Sequence, residues 1–178
     1  MDAKTYLELL AQRYSVRKFS DEQLTDAELD ALVETARLSP TAKNTQPFRL
    51  CIVQSAEGLA KIDECTHCRY GAPTVFIAAY DKKESCEGMG FEGGYFGNID
   101  TSIVLTNIAN AAAAAGLGSC WVGAFDPAAV RERFAVPADY VLVDMMMVGH
   151  PAEGCEPSPR HAESLPLEQL VCRETFAG

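Results

Sequence analysis

Three short segments of the chain carry side chains that could hold or work on a small polar ligand. The first is Arg13-Tyr14-Ser15-Val16-Arg17-Lys18-Phe19. In an extended segment, residues 13, 15 and 17 project to one face. Two guanidinium groups and a hydroxyl then converge, and Arg donates in a planar fork that suits a dianionic phosphate. The plainer alternative is a solvated basic turn after a helix. The second segment is Ser39-Pro40-Thr41-Ala42-Lys43-Asn44-Thr45-Gln46-Pro47-Phe48. Asn44 and Gln46 each place a donor and an acceptor on one side chain, as a heterocycle with alternating N–H and C=O edges requires. The plainer alternative is a helix end and a turn. The third is Gly116-Leu117-Gly118-Ser119-Cys120-Trp121-Val122-Gly123-Ala124. Gly123 would let a flat ligand approach the backbone; the alternative is a core strand holding a core tryptophan.

Other features offer chemistry but lack the rest of their apparatus. Cys65-Thr66-His67-Cys68 has the spacing that begins a zinc site, yet no second CxxC or HxxxH completes it. A thioredoxin-like reading wants the motif at a strand-to-helix junction, whereas this one ends an expected helix. His150 and His161 have no accompanying Ser or Cys nucleophile motif. The glycines around residue 93 lack the spacing of a phosphate loop. Met145–Met147 read as strand core.

The elements that must position these segments follow from periodicity. Tyr6, Leu7 and Leu10 have helical spacing, so residues 4–13 form a short helix. Thr25-Asp26-Ala27-Glu28 is a capping box, with Leu24 and Leu29 at its staple positions. Leu29, Leu32, Val33 and Ala36 continue as one apolar stripe that ends before Pro40. Phe48–Val53, Pro73–Tyr80 and Tyr140–Val148 read as buried strands, and Ser119–Ala124 as a short extended piece. Ser55 to about Glu64 is helical. A long helix runs from about Asn98 to Ala115 and stops at Gly116; its Ala111–Ala115 run would let a neighbouring backbone come close. Asp126-Pro127 caps a helix reaching about Phe134. Residues 86–97 read as a glycine-rich loop, and the proline-bearing tail from Gly149 as an arm. Helices and strands alternate, so the class is α/β or α+β.

Composition narrows the partners. The 178 residues suggest one domain. A net charge of −10 argues against nucleic acid, whose phosphates demand clustered Lys and Arg, and against an acidic membrane surface. No stretch approaches the roughly 18 apolar residues of a membrane span. The start, Met1-Asp2-Ala3-Lys4, opens an amphipathic segment and not a signal peptide. Seven cysteines, several in apolar runs, fit a reducing cytoplasm better than a disulfide framework.

Taken in order, the motifs resemble those of the nitroreductase-type flavoproteins. That family opens with a helix and an Arg-x-Ser-x-Arg-x-aromatic segment, here Arg13–Phe19. It continues with a helix ending in Pro-Ser/Thr-Ala-x-Asn-x-Gln-Pro-aromatic, here Pro40–Phe48. An Ala-rich helix then leads into Gly-Leu-Gly-x-x-Trp-x-Gly, here Gly116–Gly123, and a hydrophobic strand ends in Gly-x-Pro, here Gly149-His150-Pro151. The likeness spans about residues 6–165.

The resemblance implies an α+β fold: a small mixed central β-sheet flanked by helices, completed in an intertwined homodimer. Residues 1–178 would form a single FMN-binding domain, with 149–178 as a C-terminal arm wrapping the partner. It implies Arg13, Ser15 and Arg17 on the phosphate and ribityl end of FMN, with Tyr14 beside them. Pro40, Thr41, Ala42, Asn44 and Gln46 would reach the flavin from the other subunit. Trp121, Val122 and Gly123 would line the isoalloxazine ring, and Arg160 would be the late basic residue near the phosphate. It implies ping-pong transfer from NADH or NADPH through flavin N5 to a flat acceptor such as a nitroarene or quinone, with no catalytic side chain and no metal. Two departures stand out: Phe48 replaces a common Trp, and the short chain leaves little room for long lid insertions. Other readings are a same-scaffold flavoenzyme with a biosynthetic or dehalogenating substrate, a flavin storage or sensing module, and a thiol or metal protein built on residues 65–68.

Overall fold

The protein is described by a computed structural model covering residues 2–86 and 96–176. Helix α1 (Ala3–Gln12) is followed by α2 (Asp26–Arg37), strand β1 (Phe48–Val53), α3 (Ala56–Cys65), β2 (Thr74–Asp81), α4 (Phe96–Ala114), β3 (Gly118–Val122), α5 (Pro127–Arg133), β4 (Tyr140–Gly149) and a short α6 (Leu167–Leu170). The expected capping box is present: Thr25 accepts from the Glu28 amide, and Glu28 reaches back to the Thr25 amide. Gly116 takes φ +75° at the end of α4, a left-handed stop that a side chain would disfavour. Helix α4 starts two residues before the expected Asn98, and Gly97 packs directly on the Tyr80 ring. The rest of the expected glycine-rich loop, 87–95, lies outside the described residues.

The sheet has the order β1-β2-β4-β3, and every neighbouring pair is antiparallel. The sheet is therefore antiparallel and not mixed as expected; a parallel pairing occurs among the described residues only at the isolated bridge of Ser15 with Ser119, outside the strands. The reason is β4. The β2–α4–β3 crossover leaves β2 and β3 running the same way, but β4 inserts between them and pairs antiparallel with both.

Strand side chains alternate between faces, and this splits the core in two. On one face Val75, Ile77, Cys120, Val122, Met145 and Met147 meet Ile62, Cys65 and Val130 of α3 and α5, with Val16 and Phe19. On the other, Phe76, Ala78, Met146 and Val148 meet α2 and α4 through Leu32, Ala36, Val104, Leu105 and Ile108. Helix α1 buries none of its residues; Tyr6 and Leu7 stay exposed although they form its apolar stripe. It lies beside the small side chains of α4, since Thr5, Leu9 and Gln12 share a surface depression with Ala113 and Ala114. The close approach to the alanine run is therefore made by this chain's own first helix.

The tail is less detached than its prolines suggest. Residues 150–161 run along the segment 11–20. Ser20 N–H donates to the His150 carbonyl (2.9 Å) and Ala152 N–H to the Lys18 carbonyl (3.0 Å). Phe19 bridges to Pro151. Beyond that the chain is exposed, with Leu165, Leu167, Leu170 and Val171 all open to solvent.

Candidate functional site

The segment 13–17 is held against β3. Val16 N–H donates to the Ser119 carbonyl (2.9 Å), and Val16 itself is buried in the core. Gly118 permits this approach, because a Cβ there would lie 2.6 Å from Val16 Cγ2. With Val16 facing inward, Arg13, Ser15 and Arg17 all face a cavity of about 220 Å³, as the alternation requires. The arm completes this cavity with Ser158, Arg160 and His161, and Tyr14 lines it too. The Tyr14 hydroxyl donates to the Cys155 carbonyl (3.0 Å). His161 Nε2 lies 2.8 Å from the Ala11 carbonyl oxygen, and its ring leans on Tyr14. Among the described residues, three arginines and no carboxylate line this space, in a chain of net charge −10.

Arg17 has a further neighbour. The Tyr70 phenol interacts with Cys68, which raises its pKa, and with the Arg17 guanidinium, which lowers it. The interaction with Cys68, with burial added, pushes the phenol up from its ordinary range. Cys68 of the 65–68 motif is thus engaged with Tyr70, while the Cys65 thiol donates to the Lys61 carbonyl inside α3.

A second cavity, about 340 Å³, shares Arg13 and Ser15 with the first. Trp121 and Met146 give it apolar walls, and Ser119, Thr106 and Asn110 give it polar ones. Trp121 is 37% exposed, so it is a wall and not a core residue. The Val122 side chain points into the core on the opposite face and leaves only its backbone at this edge. Gly123 is exposed, and a Cβ there would lie 2.8 Å from Asp144 Oδ1. The glycine therefore makes room for the Asp144 carboxyl, beyond any room it leaves a ligand. Thr106, Asn110, Met146 and Asp144 were not among the expected site residues. Thr106 and Asn110 did not stand out, because the same helix also carries Asn98, Asp100, Thr101, Ser102 and Asn107. Met146 carried no signal, because a strand-core methionine has the same pattern.

The segment 40–46 lies elsewhere in the chain; none of its residues lines either cavity. It is a tight loop, with Lys43, Asn44 and Gln46 at φ +52°, +57° and +49°, left-handed values that cost side-chain-bearing residues energy. Thr41 Oγ1 accepts from the Gln46 amide (3.0 Å), and Gln46 Nε2 donates to Asn44 Oδ1 (3.0 Å). Pro40 follows the buried Ser39, whose hydroxyl accepts from Asn107 Nδ2 (2.9 Å). Ala42 N–H donates to Asp100 Oδ1 (2.8 Å). Asp100 sits six to ten residues before Thr106 and Asn110, roughly 9–15 Å along α4.

Asp100 is almost fully buried, and its Oδ2 has no partner among the described residues. Burial pushes its carboxyl up from the ordinary range, and the Ala42 amide only partly offsets this. A raised carboxyl favours the folded state below the unfolded value, about 3.9, and that contribution is lost as pH rises through the folded value. Asp100→Asn removes the titration. The variant's melting temperature relative to wild type is therefore expected to climb with pH above about 4. Thermal melts across pH would check this, and a difference that stays constant would contradict it.

Comparison with known proteins places the chain in a family. The Nitroreductase family model matches residues 10–70 and 70–150. The crystal structure of a nitroreductase family protein from Clostridium difficile 630 superposes with a TM-score of 0.88 at 32% identity, covering 96% of this chain and 98% of that one. An FMN reductase [NAD(P)H] of Bacillus subtilis is 27% identical over 94% of this chain and 72% of its own. An NADPH-dependent oxidoreductase of Staphylococcus haemolyticus is 29% identical over 95% of this chain and 73% of its own. With its motifs, its fold and the family model all in register, the chain belongs to the nitroreductase family.

Proposed function

We propose that the protein is an FMN-dependent oxidoreductase, working as a homodimer in the cytoplasm. It takes electrons from NADH or NADPH and passes them to flat, electron-poor acceptors such as nitroaromatics or quinones. The observation that carries this reading is the pair of neighbouring cavities that share Arg13 and Ser15. One gathers Arg13, Arg17 and Arg160 with hydroxyl donors, the donor set a dianionic phosphate needs. The other, which shares Arg13 and Ser15 with it, has the Trp121 and Met146 walls that suit a flat ring. The relatives named as FMN reductase and NADPH-dependent oxidoreductase support the same cofactors.

In this reading residues 1–178 act as one FMN-binding domain. Arg13, Ser15, Arg17 and Arg160 hold the phosphate, and Tyr14 keeps the arm in place over it. Trp121 with the Val122–Gly123 backbone borders the ring. Pro40, Thr41, Ala42, Asn44 and Gln46 serve the site of the partner subunit. The exposed apolar side chains of α1 and of the arm 149–178 support a partner that covers them. Bound FMN supplies the electron-transfer chemistry; the side chains bind, orient and exclude water. No side-chain acid or base is assigned.

Purified protein is expected to be yellow and to bleach on anaerobic addition of NADH or NADPH, with colour returning on addition of a quinone or nitroarene. Yellow protein that neither nucleotide bleaches would reject the reductase in favour of flavin storage.

A further inference from the structure

Asp144 stands apart from every other carboxylate near the site. It lies on β4 beside a bulge: Ala78 pairs with Asp144 but Ala79 pairs with Leu142, so Val143 is the extra residue. Such bulges re-aim neighbouring side chains. The Asp144 carboxyl ends half-buried against Gly123, on the β4 face that also carries Met146, the residue paired with Trp121, and the Trp121 side chain, whose only donor is the indole N–H, lowers its pKa. Ala78 flanks it on β2 and Gly123 and Trp121 on β3, and the nearest cavity, walled by Trp121, holds Arg13 as its charged residue among the described ones. Burial pushes the carboxyl up from its ordinary range, and the indole pulls it part of the way back. Burying a carboxyl even by half is costly, and such groups collect at functional sites.

We propose that Asp144 is a positioning residue of the flavin site: its carboxylate fixes the Trp121 indole as the cavity wall and sets a negative charge beside the Val122–Gly123 strand. This rests on the FMN reading given above. Two consequences follow. The indole is held by one specific bond, so its environment reports the state of Asp144. A fixed anion beside the ring opposes the arrival of electrons, so removing it makes FMN easier to reduce.

Trp121 is the sole tryptophan, so ¹⁵N-labelled tryptophan in the FMN-bound protein gives one indole N–H resonance. In wild type that resonance is expected to move with pH, with a midpoint above the ordinary aspartate value. In Asp144→Asn it is expected to stay constant. At pH 8 the reduction equilibrium of FMN in Asp144→Asn is expected to favour the reduced form by about tenfold more than in wild type, which is about 30 mV for a two-electron couple. Asp144→Glu is expected to restore most of the difference. A pH-dependent indole resonance in Asp144→Asn, or a reduction equilibrium within twofold of wild type, would overturn the proposal. Wild-type protein that takes up no FMN would overturn the flavin reading itself. The indole titration of the flavin-free chain would then still show whether the Asp144–Trp121 bond exists.

Discussion

Alanine at Arg17 is expected to weaken FMN binding by roughly ten- to a hundredfold, the equivalent of one charge-assisted hydrogen bond of about 1.5–3 kcal/mol. The guanidinium faces the arginine-lined cavity. Arg13 and Arg160 line the same cavity, which is why the loss should stop short of abolishing binding. Arg17→Lys keeps the charge but loses the planar fork and should fall between wild type and alanine. Titration of flavin-free protein with FMN, followed by flavin fluorescence, measures all three. Equal affinities for wild type and Arg17→Ala would refute the phosphate assignment. Wild-type affinity should also decline as salt rises, because exposed cation–phosphate attraction is screened.

At an FMN concentration that fills the wild-type site but not the weakened ones, where each parent dimer is poorly active, a mixed dimer of Arg17→Ala and Asn44→Ala chains is expected to recover about half of wild-type turnover. The half follows from counting sites. If each flavin site takes its arginines from one chain and its 40–46 loop from the other, the mixed dimer concentrates both defects in one site and leaves the second intact. If each site lay within a single chain, every site would keep one defect. The cavities and the loop share no lining residue within the chain. Tyr6 and Leu7 of α1, Val33 and Leu38 at α2, and the arm leucines remain exposed for a partner to cover. Differently tagged variants, co-expressed and purified through both tags, would be assayed for FMN content and NAD(P)H oxidation. A mixed dimer no better than the mean of its parents would reject the shared site and the role given to Pro40–Asn44.

The local elements were legible because their causes are local. The α2 boundary follows from Thr25 and Glu28 bonding each other's backbone three residues apart. The Gly116 stop follows from a backbone angle that glycine adopts without penalty. The inward Val16 and outward Arg13, Ser15 and Arg17 follow from the two-residue period of an extended chain. The same period, with two apolar faces to satisfy, makes β2 and the latter half of β4 continuous apolar runs.

Positions that depend on distant contacts were not legible. Strand order is one: alternating helices and strands are compatible with a parallel sheet, and only packing sends β4 between β2 and β3. The place of Gly123 is another. As a residue it offers room, but the Asp144 carboxyl, 21 positions later in the chain, takes that room. Thr106, Asn110 and Met146 enter the cavity wall because α4 and β4 meet β3 at one edge. The joining of Arg160 to Arg13 and Arg17 depends on the tail docking along residues 11–20. Sequence by itself determined which segments carry donors and which faces they present, since those depend on bonds and periods a few residues long. Tertiary structure decided which of them share a cavity and what fills the gaps between them, because close packing is a property of residues that the chain separates and only folding brings within van der Waals reach.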